Sequence, residues 1–80
     1  MKKSEFVFGV MTYNQESIIC ETLESIKYQI ETYGKDVDCT IIVTDDCSKD
    51  KTVEVVENWL QNNEKLFCDI IKKFNKENKG

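Results

Sequence analysis

Cys39-Thr40-Ile41-Ile42-Val43 runs directly into Thr44-Asp45-Asp46-Cys47-Ser48-Lys49-Asp50, and this junction is the key to the fold. The first five residues are apolar or β-branched without a break, which suits a strand buried on both faces. The polar stretch after them predicts a loop, with Asp50 as the N-cap of a following helix. Val53, Val56, Trp59 and Leu60 form that helix's apolar stripe, and Asn62-Asn63 close it.

The same alternation extends in both directions. Upstream, Phe6-Val7-Phe8-Gly9-Val10-Met11 is a second apolar run, again expected to be a strand buried on both faces. Thr12-Tyr13-Asn14 turns the chain, with Asn14 as the expected N-cap and Glu16 in the first helical turn, where its charge favours the helix dipole. Ile19, Leu23, Ile26, Ile30 and Tyr33 recur at three- and four-residue steps, and Gly34 ends this helix as a C′ glycine. Downstream, Phe67-Cys68-Asp69-Ile70-Ile71 predicts a third strand, and the polar segment 75–80 a loop. The sum is an α/β chain, β-α-β-α-β over residues 6–74, which implies a parallel sheet with right-handed crossovers. Ligands of such sheets bind beyond the carboxyl ends of the strands. The candidate segments are therefore 12–16, 44–48 and 75–80.

Eighty residues make one small domain, and a chain of this size buries only about 60% of its unfolded surface. The net charge of −4 and the lack of a basic stripe in the folded part argue against nucleic-acid binding. Cys20, Cys39, Cys47 and Cys68 include no C-x-x-C pair, and the chain has no His, so a structural zinc site is not expected. Met1-Lys2-Lys3 leads into Ser4-Glu5 and a short apolar run rather than a signal peptide, and no stretch reaches the ~20 apolar residues that span a bilayer. The expectation is a cytoplasmic protein with reduced thiols.

Each strand end has a functional and a structural reading. Tyr13 offers a ring for stacking on a base, and Thr12 a hydroxyl for its edge; alternatively Tyr13 packs on the helix and Asn14 only caps it. Asp45 and Asp46 repel each other, so a pair at the mouth of a buried strand calls for a reason such as contact with a base N–H or ribose hydroxyls. Turn closure by Asp and Ser is the alternative. A basic loop with Lys76 and Lys79 is expected to face the same crevice and suit a diphosphate, against a merely solvated tail. There is no glycine-rich phosphate loop after the first strand. Asp36-Val37-Asp38 reads as D-x-D, but it precedes the second strand and is taken as a polar lead-in.

Together these pieces resemble the start of family 2 glycosyltransferases, which have the GT-A fold. The family's first strand ends in Thr-Tyr-Asn, here Thr12-Tyr13-Asn14 with Gln15-Glu16 following. The next helix is similar at Glu21-Thr22-Leu23-Glu24-Ser25-Ile26 and Gln29. The family's Asp-Asp-Gly-Ser-x-Asp, then Thr, appears as Asp45-Asp46-Cys47-Ser48-Lys49-Asp50 with Thr52, and its Asn-x-Gly as Asn78-Lys79-Gly80. Met11 stands for the usual Pro and Cys47 for the usual Gly, a position that commonly needs a positive φ.

The resemblance implies that residues 1–80 are a single partial domain, the N-terminal half of a GT-A enzyme. By position, Thr12 and Tyr13 would contact the base and Glu16 the ribose region. Asp45 would bind the base edge, Asp46 would line the nucleotide site, and Lys79 would lie near the diphosphate. The expected donor is a UDP-sugar and the acceptor a saccharide or lipid-linked hydroxyl, with inversion. The family's metal-binding Asp-x-Asp and its catalytic base are expected beyond Gly80. The parent enzyme would use Mg or Mn, while this chain alone would bind no metal and be inactive. Polysaccharide biosynthesis, at the inner face of the membrane, is the expected setting. The rival readings are a flavodoxin-like phosphoacceptor, whose acidic pair would follow the first strand, and a Rossmann-type nucleotide module, which would need the missing glycines.

Overall fold

The computed structural model describes residues 4–34 and 36–76. The elements run β1 (Ser4–Thr12), α1 (Ile19–Tyr33), β2 (Val37–Asp46), α2 (Thr52–Asn62), a 3-10 turn (Glu64–Leu66) and β3 (Asp69–Asn75). The strands form one parallel sheet in the order β1-β2-β3, as the periodicity implies. The sequence resemblance and this α/β order agree on a Rossmann-like N-terminal half.

Strand order decides which face is covered. Two right-handed crossovers stepping the same way place both helices on one side of the sheet. Val10, Cys39, Ile41 and Val43 point to that side and pack with Ile19 and Leu23 of α1 and Val56, Trp59 and Leu60 of α2. The Trp59 indole N–H also donates to Glu24 Oε2 (2.7 Å), tying α2 to α1. Trp59 meets Phe67 at 6.2 Å between ring centroids.

The opposite face is open, so β1 is not buried on both sides as its composition suggested. Val7 is 59% exposed and Met11 82% exposed. β2 likewise alternates buried and half-buried positions along its length.

Other expectations shift at the element ends. β3 begins at Asp69 and reaches Asn75; Phe67 precedes it as a buried plug beneath Trp59. Tyr33, the last residue of the α1 stripe, is exposed. Asn14 is not the N-cap of α1: the chain makes a further turn through Gln15, and Ile18 takes the cap position without a side-chain bond. Gly34 does end α1, but at φ −97° rather than in the left-handed region. Its need is steric, because a Cβ there would lie 2.8 Å from the Ile30 carbonyl oxygen.

Candidate functional site

The carboxyl end of β2 is built by its two-residue period. Cys39, Ile41 and Val43 face the helices, so Asp45 does too, while Asp46 points to the open side. Thr12 is the β1 partner of Asp45 and shares its face. Both are buried, Asp45 at 1% and Thr12 at 3% exposure.

A buried carboxylate must be satisfied, and Asp45 is. It accepts from the Thr12 hydroxyl (2.6 Å), the Ser48 amide (2.7 Å) and the Ser48 hydroxyl. Burial pushes the Asp45 carboxyl up, but the Ser48 and Thr12 bonds outweigh it and hold it below the ordinary value. Asp45, expected at the base edge, and the Thr12 side chain, expected to contact the base, are here engaged with each other. The two groups spend their hydrogen bonds on joining β1 to β2.

The loops beyond the strands are laced together. Ser48, its proton committed to Asp45, accepts the Asn14 amide (2.9 Å). Asn14 in turn accepts the Lys49 amide through its Oδ1 (2.7 Å). The Thr52 hydroxyl donates to Asp50 and accepts the Gln15 amide (2.7 Å). Asp50 also takes the Thr52 amide (3.0 Å) on Oδ1 and the Glu16 amide (3.1 Å) on Oδ2. Glu16 returns the contact, its Oε1 accepting the Lys51 amide (3.1 Å). Glu16 thus sits at the start of α2, where its negative charge favours the dipole, and not in the first turn of α1. Asp50 lies one residue outside the observed cap position, yet its carboxylate accepts the first α2 amide, that of Thr52. The Thr52 hydroxyl is the first cause that holds the Asp50 carboxyl below its ordinary value.

This geometry needs two left-handed residues, Asn14 (φ 49°) and Cys47 (φ 59°). Cys47 keeps the loop shape that a glycine commonly supplies, and its thiol donates to the Lys76 carbonyl (3.2 Å).

Tyr13 and Asp46 are among the side chains left turned outward. Tyr13 is 46% exposed and Asp46 half-buried, and among the described residues neither side chain has a hydrogen-bond partner. Asp46 pairs in register with Asn75 of β3. Lys79 lies outside the described residues. Among those residues, no three His, Cys, Asp or Glu side chains are grouped to hold a metal ion, and no helix is long and apolar enough to cross a membrane. Turn closure by Asp45 and Ser48, the structural alternative offered by the sequence, is present; the bridging roles of the Ser48 and Thr52 hydroxyls toward the Asn14 and Gln15 amides were not foreseen. The spacing of Ser48 and Thr52 from Asp45 and Asp50 was the available signal.

The sequence model of glycosyl transferase family 2 matches residues 8–80. The chain belongs to glycosyl transferase family 2. The match begins inside β1 and takes in both laced loops and all three strand ends. Membership implies a nucleotide-sugar donor and an acceptor, and it ranks the phosphoacceptor and Rossmann readings below glycosyl transfer. No curated relative and no solved structure gives a significant match.

Proposed function

We propose that the strand ends of this glycosyltransferase segment bind the nucleoside diphosphate of a sugar donor, with the base between Tyr13 and Asp46. The observation that carries this reading is the outward pair. Thr12, Asp45, Ser48, Asp50 and Thr52 are engaged in the lacing of the loops, whereas the Tyr13 and Asp46 side chains have no hydrogen-bond partner among the described residues and are open to a ligand. Tyr13 supplies a face for stacking, worth about 1–3 kcal/mol per base. Asp46 supplies an acceptor for a base N–H, which favours uridine and makes a UDP-sugar the proposed donor. The base-edge role first expected of Asp45 passes to its neighbour. Lys79 remains a proposed diphosphate contact.

In the reaction proposed for the parent enzyme, the acceptor hydroxyl attacks the anomeric carbon with inversion. The bond to the nucleoside diphosphate breaks, and the hydroxyl proton goes to a carboxylate expected beyond Gly80. A divalent ion, Mg or Mn, would be held by the Asp-x-Asp expected beyond Gly80 and would neutralise the charge of the leaving nucleoside diphosphate. The part of this segment is to bind and orient the base.

The test is calorimetric titration with UDP. Asp46→Asn should weaken binding at least about tenfold, the value of one charge-assisted hydrogen bond, with an unchanged melting temperature. Asp45→Asn should instead destabilise the fold by about 1–3 kcal/mol, because it disturbs a buried, satisfied carboxylate. Equal UDP affinity in wild type and Asp46→Asn would overturn the assignment.

A further inference from the structure

Three consecutive backbone amides follow Tyr13, and each donates to a side chain of the other loop. The Asn14 amide goes to Ser48, the Gln15 amide to Thr52 and the Glu16 amide to Asp50. Tyr13 has no side-chain hydrogen bond of its own among the described residues, and these amides hold the backbone turn that carries it. The first two bonds share one construction: a carboxylate takes the proton of a hydroxyl, which leaves the hydroxyl's lone pairs for the amide. Asp45 does this through Ser48, and Asp50 through Thr52.

We propose that Asp50 is a positioning residue of the base site, holding the Tyr13 turn directly through the Glu16 amide and indirectly through Thr52. The proposal rests on the nucleotide-binding reading above. Asp50 divides its work between two oxygens. Oδ1 serves the start of α2, taking the Thr52 amide and hydroxyl. Oδ2 serves the Tyr13 turn, taking the Glu16 amide. A residue that only capped α2 would need Oδ1 alone.

That division makes Asp50→Asn informative. Asn is as good an N-cap as Asp, so its oxygen keeps the α2 bonds. Its NH2 then faces the Glu16 N–H, donor against donor, and the hold on the turn is lost. The expected result is a slightly lowered melting temperature, faster hydrogen exchange at the Glu16 amide but not at Thr52, and UDP binding weakened roughly tenfold. Thr52→Val should also weaken binding, while Thr52→Ser, which keeps the hydroxyl, should restore it. Unchanged UDP affinity in Asp50→Asn, with the Glu16 amide freed, would show that the turn does not position the base. A lowered melting temperature with faster exchange at Thr52 and not at Glu16 would make Asp50 a cap and nothing more. If the wild-type chain fails to bind UDP, the base-site reading falls and this proposal with it, a result distinct from both of the others.

Discussion

Cys47 holds a left-handed backbone that costs an L-residue about 1–2 kcal/mol. Glycine escapes that cost but loses about 0.5–1 kcal/mol through its freer unfolded chain. Cys47→Gly also gives up the thiol bond to Lys76, so it is expected to raise stability by no more than about 1 kcal/mol, read as a higher urea midpoint at constant slope. The substitution of Cys for a motif glycine was visible in the sequence; that the loop keeps its shape regardless was not. The roles of Asp45 and Asp46 show where residue-level reading stopped. Both stood out in the sequence as carboxylates at the mouth of β2. Their separation into one buried and one outward group follows from the parity of β2, and Thr40-Ile41-Ile42-Val43 hides that parity by being apolar or β-branched on both faces.

Among the elements, the α1 end gives a clean steric test. Gly34 has an ordinary φ, so alanine there meets no backbone penalty, only the Ile30 carbonyl at 2.8 Å from its Cβ. Gly34→Ala should cost about 1–2 kcal/mol, measured by denaturant unfolding, because backbone on both sides must shift. The existence, type and order of all five helices and strands were legible, since their periods of 3.6 and 2 are set by apolar spacing. The starts of the helices were not. Asn14 and Asp50 are good capping residues in isolation, but their side chains answer to the facing loop, 34 or 35 residues away. No local pattern encodes that partnership.

At the scale of the molecule, Asp45 and Asp50 tie stability to acidity. Both have folded pKa values below the ordinary carboxylate value. The unfolded chain therefore binds more protons near pH 4, so stability rises with pH there. It is fully present above the unfolded Asp value of about 3.9 and is lost as pH falls through the folded values. Thermal melts by circular dichroism should be level from neutral pH to about 5 and fall below about 4, and Asp45→Asn should flatten the fall. The one-sided sheet was not legible in the sequence. Apolar runs announce strands, but which face is covered depends on the direction of both crossovers, and that is a property of the assembled topology. The lacing between the loops also sets an order in time. Its bonds join residues 33 to 37 positions apart, as the β1–β2 pairing does, whereas the turns of α1 and α2 join residues only four apart. Such distant pairings are slow to form because the chain must give up its freedom before they reward it. The ligand mouth is thus completed late, so recovery of UDP binding during refolding should lag behind the return of helical signal.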